Sequence, residues 1–286
     1  MKLKSENISP ALPFNSTWLK LWDSIDNTSD PQWFVKFLDS SRRRQLEIIK
    51  KDPSQYFSYL SIEPNMQVLD IGCGTGILLH PIAEITGAHG RVVGIDLSEF
   101  MINEARKRAG LTNLPLEFYK GNVYKIDFPD ETFDRASSST LFQHLKRPEE
   151  AILEIKRVVK PGGLIAVCDY DWETLIIESN FKQITRIITN YFCDNTPNGW
   201  IGRKLYGLFA GAGLQNIRVI PVTINLTYHD FLNPAIGFLQ IIERCVEENL
   251  ITSEEKELWL QDLEVRASTN RFFLSFTLFR VTGRKE

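Results

Sequence analysis

The residues whose types and spacing point most directly to chemistry are Asp70, Gly72, Gly74, Gly76 and Asp96. The first four belong to Val68-Leu69-Asp70-Ile71-Gly72-Cys73-Gly74-Thr75-Gly76, an apolar run that enters a loop with glycine at every second position. Glycine lets a backbone turn sharply and approach a ligand with no Cβ in the way. Twenty residues beyond Gly76, Arg91-Val92-Val93-Gly94-Ile95-Asp96 ends a second apolar run on a carboxylate. An acid at that place in a βαβ unit accepts hydrogen bonds from both hydroxyls of a ribose. Its other use is to cap a helix opening at Ser98 or Glu99. A dinucleotide fingerprint, GxGxxG, would need glycine at position 77, where the chain has Ile77. A nicotinamide oxidoreductase on the same topology is therefore disfavoured.

These residues need strands and helices to hold them. From about residue 61, short apolar runs alternate with helical periodicity, the pattern of a parallel sheet with crossover helices. The expected strands are Met66–Ile71, Arg91–Asp96, Leu116–Tyr119, Phe133–Ser137 and Gly163–Asp169, followed by Ile217–Val222 and Phe272–Val281. Helices are expected at Gly76–Thr86, Ser98–Ala109 and Pro148–Val159. In the last, Ala151, Ile152, Ile155, Val158 and Val159 share a face, and Lys160-Pro161-Gly162-Gly163 supplies the break. Residues 1–60, with Trp18, Trp22, Trp33, Phe34, Phe37 and Leu38 ahead of SRRRQLEIIKKD, form a helical lead-in and cap. Residues 61–286 form the main domain, with helical cap insertions at about 174–212 and 231–267.

Composition narrows the function. The 286 residues are 43% hydrophobic and 24% charged, as in ordinary globular proteins. Lys plus Arg at 33 against Asp plus Glu at 36 gives a net charge of −3, which disfavours general nucleic-acid binding. Arg42, Arg43 and Arg44 fall short of a phosphate-binding run and are expected on a solvated helix face. Cys73, Cys168, Cys193 and Cys245 form no CxxC pair, so free thiols and no metal site are expected. MKLKSENISPALPFN has no apolar segment after its lysines, and no stretch of about 18 apolar residues occurs. The expectation is no signal peptide, no membrane span and a cytoplasmic location.

With these residues in place, the chain resembles the class I S-adenosylmethionine-dependent methyltransferases, and within them the small-molecule group that includes the ubiquinone and menaquinone C-methyltransferases. The resemblance lies in VLDIGCGTG (68–76), VVGIDLSEFMINEAR (92–106), GNVYKIDFPDETFDRASSS (121–139), LFQHL (141–145) and RVVKPGGLIAVCDYD (157–171), in that order. It implies an α/β, Rossmann-like, doubly wound sheet of seven strands with one antiparallel strand, capped by the N-terminal and late helices. It also implies S-adenosyl-L-methionine as cofactor. Gly72, Gly74 and Gly76 would pass close to its methionine and ribose, with Asp70 helping to hold the amino end. Asp96 would take the ribose, and Leu97 and Met101 would flank the adenine. Asn122 and Val123 stand where the family has Asp-Ala, and Asn122 retains an acceptor oxygen for the adenine amino group. Ser138 would lie near the sulfonium.

Such a cofactor carries its own electrophile, so the protein has to align an acceptor and exclude water. A base is needed only for an acceptor protonated in its ground state. His144, after the fourth strand, is one candidate, its other reading being a ring hydrogen-bonded to backbone in the cofactor wall. Asp171, after the fifth, is the second, or else an N-cap for a helix near Trp172. Asn198-Gly199-Trp200-Ile201-Gly202-Arg203-Lys204-Leu205 resembles a stretch of some of these small-molecule enzymes, in which Arg203 could pair with an anionic group of a substrate and Trp200 pack on an aromatic one, or pack only in the cap. His80, His89 and His229 have no companion ligands and are expected to be structural. Ala136-Ser137-Ser138-Ser139 replaces the NPPY-like tetrad common among methyltransferases of nucleic-acid and protein nitrogens. The reading is methyl transfer to a small organic acceptor, compatible with a homodimer. The alternatives are a cofactor-binding protein without transfer and a macromolecular methyltransferase.

Overall fold

A computed structural model describes residues 18–51, 57–227 and 238–286. The segment MKLKSENISPALPFN, His229 and the start of the helix expected from 231 lie outside the described residues. The strands are β1 (Gln67–Ile71), β2 (Arg91–Asp96), β3 (Leu116–Lys120), β4 (Phe133–Ser139), β5 (Val159–Ile177), β6 (Gln215–Leu226) and β7 (Leu274–Arg284). They form one sheet in the order β3-β2-β1-β4-β5-β7-β6. β3, β2, β1, β4 and β5 pair in parallel, and β7 runs antiparallel to both of its neighbours. The seven-stranded sheet with its antiparallel strand is the architecture expected above.

The described helices are α1 (Pro31–Lys51), α2 (Leu79–Thr86), α3 (Glu99–Ala109), α4 (Pro148–Val158), α5 (Lys182–Asn195), α6 (Ile201–Gly211), α7 (Phe238–Glu247) and α8 (Ser253–Ser268). Helices cover both faces, which explains why the parallel strands read as unbroken apolar runs. On one face Val68, Val92 and Phe118 pack with Ile82 of α2 and Ile102 of α3. On the other, Leu69, Val93 and Ile165 pack with Ile152 of α4 and Leu205 of α6. A separate core under the late helices joins Phe192, Phe238, Trp259, Leu263 and Phe272, and the buried Trp259 Nε1–H donates to Thr185 Oγ1 at 2.8 Å. Ile25, Trp33, Phe34 and Val35 of the lead-in pack on Met101 of α3.

Two elements run further than their sequence suggests. The expected helical stretch from 174 begins as strand, because β7 continues to offer partners to β5: Asp171 pairs with Thr277, and after a bulge Ile177 pairs with Leu274. Thr174 Oγ1 accepts the Thr277 N–H at 2.8 Å within that bulge. β6 likewise extends to Leu226, opposite Leu274. Cross-strand pairing overrode local pattern at both places.

Candidate cofactor and acceptor cavity

β1 and β4 are neighbours, yet β2 and β3 lie on the other side of β1, so the chain reverses its strand order here. Ligands of open α/β sheets bind outside the strand ends at such a point. The loop after β1 holds Gly72, Gly74 and Gly76 at φ of 72°, 53° and 68°, a region costly for residues with a Cβ. At Gly76 a Cβ would also stand 2.5 Å from the Phe118 ring. The Gly74 N–H donates to Asp96 Oδ2 at 2.8 Å and the Ser98 N–H to Asp96 Oδ1 at 3.0 Å, so one carboxylate fixes both the loop and the entry to α3. The cap itself is Ser98, whose Oγ accepts the Met101 N–H.

A cavity of about 990 Å³ extends from this loop along the strand ends to β6 and β7. Small-molecule sites span roughly 300–1,000 Å³, so it has room for two ligands side by side. Its first half is lined by Gly72, Cys73, Gly74, Thr75, Asp96, Leu97, Met101, Asn122 and Val123. Its second half is aromatic: Tyr170 and Trp172 stack at 4.5 Å, and both contact Phe276. Gln143 joins the two halves, taking the Trp172 Nε1–H on Oε1 at 2.8 Å while its own N–H donates to Asp169. Asp169 is buried beneath that turn, and burial lifts its carboxyl to about 7 against the hydrogen bonds from Tyr170 and Gln143.

The lead-in supplies part of the cavity wall. Trp22, Phe37, Leu38 and Arg42 line the cavity, and a Cβ on Gly74 would stand 3.0 Å from the Leu38 side chain. Asp26 accepts the N–H groups of Glu99 and Phe100 at 2.9 and 3.2 Å, and Asp39 takes both arms of Arg108 at 2.9 Å. The lead-in is thus tied to both ends of α3.

Not every expected site residue stands on the cavity wall. Gly72, Gly74, Asp96, Leu97, Met101, Asn122, Val123 and His144 do. The Asn122 oxygen accepts the Tyr124 N–H at 2.9 Å, which occupies one of its two lone pairs. The His144 ring faces that of Trp22 at 5.8 Å. Asp70 and Gly76 lie one layer back, Asp70 accepting the Ser137 hydroxyl at 2.6 Å. Ser138 is turned away, its hydroxyl donating to Ile71 O at 2.9 Å; strand alternation puts Ser139 on the wall instead, and Thr140, past the end of β4 at a φ of 60°, joins it.

Asp171, Trp200 and Arg203 are placed together, but outside the cavity lining. Asp171 is 1% exposed and accepts Arg203 Nε and, at 2.7 Å, Nη2, so it does not face an acceptor; no helix starts near Trp172, and the helix N–H that Asp171 accepts is that of Arg203 in the first turn of α6, at 3.2 Å. The guanidinium lies 4.9 Å from the Trp200 ring and also meets Glu173 at 2.6 Å. The trio pins α6 to β5. His80 Nδ1 lies 3.2 Å from Gly76 O, and His89 is exposed.

Arg42, expected on a solvated helix face, instead lines the cavity, and Trp22, Tyr170 and Trp172 join it as wall residues that no local pattern marks, since only the folded chain brings α1 and the extension of β5 to the glycine loop. Among the described residues no cluster of metal-ligating side chains occurs, and no helix is long and apolar enough to cross a membrane. The four cysteines are free, and burial pushes the Cys73 and Cys168 thiols up, the latter to about 11. Neither is poised as a nucleophile.

The glycine loop at the switch point, the acid ending β2 and the antiparallel β7 define a Rossmann-like methyltransferase. The chain belongs to the methyltransferase-domain family, whose profile matches residues 62–213. S-adenosylmethionine is the cofactor of this class. An uncharacterized 37.1 kDa transposon protein of Streptomyces fradiae is 31% identical over 227 residues, covering 79% of this chain and 64% of that protein. Demethylmenaquinone methyltransferase of Bacillus cereus is 27% identical over 58% of this chain and 77% of the enzyme. A sterol 24-C-methyltransferase of Gibberella zeae is 37% identical, over 40% of this chain and 29% of the enzyme. The YcgJ protein of Bacillus subtilis shares the fold at a TM-score of 0.58 and 16% identity, covering 82% of this chain and 97% of that one.

The cavity suits this cofactor. Thr75 Oγ1 is buried at the loop with no hydrogen-bond partner among the described residues, and Gly72 and Gly74 line the cavity. Asp70 and Asp96 would offer negative charge to a sulfonium and an ammonium, and Arg42 would offer positive charge to a carboxylate. Burial lifts Asp96 above its usual range, opposed by its bonds from Ser98 and Gly74. Burial likewise lifts Asp70 to about 6, opposed by Ser137 and the charge of Arg42. Asp70 therefore gains its charge as pH rises through about 6, and affinity for the cationic donor should rise several-fold between pH 5 and 7. Titration calorimetry across that range should show a flat profile for Asp70→Asn; an unchanged slope would place the titrating group elsewhere.

Proposed function

We propose that the protein transfers a methyl group from S-adenosylmethionine to a small, largely apolar organic acceptor held against Tyr170, Trp172 and Phe276. The observation that carries this reading is the single cavity joining the glycine loop to that aromatic wall. The names of the demethylmenaquinone and sterol 24-C-methyltransferase relatives support a quinone-like or sterol-like acceptor. The cofactor supplies an activated methyl group. Asp96 holds its ribose, Leu97 and Met101 flank its adenine, Asn122 accepts from the adenine amino group, and Gly72, Gly74 and Asp70 frame its amino end.

The chain's own work is positioning. Leu38 and Trp22 shut water out, which strengthens the electrostatic interactions inside. Gln143 orients Trp172, and so fixes the face on which an acceptor lies. His144 takes the acceptor proton where one must leave. Asp171, Trp200 and Arg203 serve the fold rather than the substrate. The N-terminal lead-in and the late helices act as the cap that selects the acceptor.

The test is transfer of labelled methyl from S-adenosylmethionine to a panel of phenols, quinone precursors and polyprenyl alkenes. Transfer to one of these, absent in Asp96→Ala, is the expected result. Tight binding without transfer to any acceptor, or transfer only to RNA or protein, would replace the reading.

Arg42 has a more specific expectation. Its guanidinium lines the cavity beside the glycine loop and reaches Thr140 Oγ1 at 3.4 Å. We assign it the methionine carboxylate. Arg42→Ala should weaken S-adenosylmethionine binding about tenfold, the value of one charge-assisted bond, and leave binding of the decarboxylated analogue unchanged. Equal losses for both ligands in calorimetry would mean that Arg42 acts through the fold.

A further inference from the structure

A second recess, of about 550 Å³, opens at the other end of the strands. Strand register places it on the same face of the sheet as the cofactor cavity. Phe276, Leu278 and Arg280 of β7 line the large cavity, and the next two residues of that alternation, Thr282 and Arg284, line the recess. Arg218 of β6 stands opposite Thr282, and Leu164 of β5 opposite Arg284.

Positive charge is gathered here. Arg218 and Arg284 line the recess, and among its described lining residues none is acidic. Behind Ser61 lies the guanidinium of Arg135, 7% exposed, which donates to the carbonyls of Leu60, Ser61 and Asp134. Arg284 spends one donor on Gly162 O. The nearby carboxylate of Asp134 is engaged by Lys160 and the Gln67 N–H. Burial first and then the charge of Arg284 hold Arg135 below its usual range, even against Glu63 and Asp134, so the repulsion is felt. Guanidiniums brought together in this way favour an oxyanion, whose oxygens match their forked donors.

The backbone adds an independent sign. Of the non-glycine residues with positive φ, Ser61 at 47° and Asn216 at 52° both line this recess. Such conformations cost energy and persist where surrounding structure holds them, often at ligand sites. Tyr59 completes the wall, with the Arg280 guanidinium 3.8 Å from its ring centroid. That arginine therefore stands between the recess and the large cavity.

We propose that the recess binds a phosphate monoester, with Arg218 and Arg284 on the phosphate and Tyr59 beside the organic part. The volume exceeds the needs of a bare phosphate, and the tyrosine ring gives the remainder a surface. The site is separate from the cofactor cavity and its occupancy does not depend on the methyl-transfer reading.

The test is calorimetric titration of the whole chain with phenyl phosphate, and separately with inorganic phosphate, at constant ionic strength set by chloride. Phenyl phosphate should bind at one site and more tightly than inorganic phosphate. In Arg218→Gln/Arg284→Gln its affinity should fall at least tenfold, with S-adenosylmethionine affinity within twofold of the parent chain. Should the double variant lose its native melting temperature, Arg218→Gln, at an exposed position of an edge strand, is expected to lower affinity at least threefold. Unchanged phosphate affinity in the variants, no binding above the chloride control, or competition by S-adenosylmethionine for the same site would each overturn the proposal.

Discussion

Asp96→Ala should lower the affinity for S-adenosylmethionine at least about a hundredfold while the protein remains folded. The carboxylate receives the Gly74 N–H at 2.8 Å and the Ser98 N–H at 3.0 Å, and in the proposed complex it also receives ribose hydroxyls. Hydrogen bonds to a charged group contribute about 1.5–3 kcal/mol each. Loss of the ribose bonds together with slackening of the glycine loop therefore exceeds the ~2.7 kcal/mol that corresponds to a hundredfold. Asp96→Asn keeps one acceptor oxygen and should fall between the two. Calorimetry beside thermal melting separates the roles. A lowered melting temperature with unchanged affinity would reduce Asp96 to a support for α3, the other reading of that acid.

The largest effect on stability is expected at Arg203. Asp171 is 1% exposed, and Arg203 answers its carboxylate through two guanidinium nitrogens and its own backbone N–H. Arg203→Ala leaves a buried carboxylate with the backbone bond alone. Breaking a buried pair from one side costs about 3–5 kcal/mol. The arginine side chain is 41% exposed, so water can reach the gap and the low end, about 3 kcal/mol, is expected. For a chain of this size that corresponds to a melting temperature about 6 °C lower or more. Adding Asp171→Asn should restore much of the loss, because the uncompensated charge is then gone. S-adenosylmethionine affinity should stay within about twofold. Native stability combined with a raised KM for the acceptor would instead return Arg203 to the substrate site.

The fold was legible because its local signals agreed with one another. β2 has the same limits in the sequence pattern and in the structure, Arg91–Asp96, since an apolar run ending in Asp and followed by a Ser cap leaves one solution. β5 was less legible. The stretch from about 174 reads as the start of a helix, and only pairing with a strand about a hundred residues later keeps residues up to Ile177 extended. The glycine loop, Asp96, Leu97, Met101 and Asn122 are close in sequence to the strand ends that place them, and all but Gly76 of that set stand on the cavity wall. Trp200 and Arg203 were expected as substrate contacts from the resemblance of their stretch to small-molecule methyltransferases, and a cation's partner is not visible in one dimension. In three dimensions Asp171 is that partner.

By itself the sequence determined the parallel sheet, the switch-point loop and the acid after β2, because each depends on spacing within a few tens of residues and on backbone conformations that only glycine adopts cheaply. The tertiary structure decided the rest: that Arg42 reaches the glycine loop's cavity, that Tyr170 and Trp172 line its far half, that Asp171 is spent on Arg203, and that Arg218 and Arg284 line one recess. Each of these joins residues distant in the chain. Their meeting is set by which strands pair and which faces are buried, and those are properties of the packed molecule rather than of any local segment.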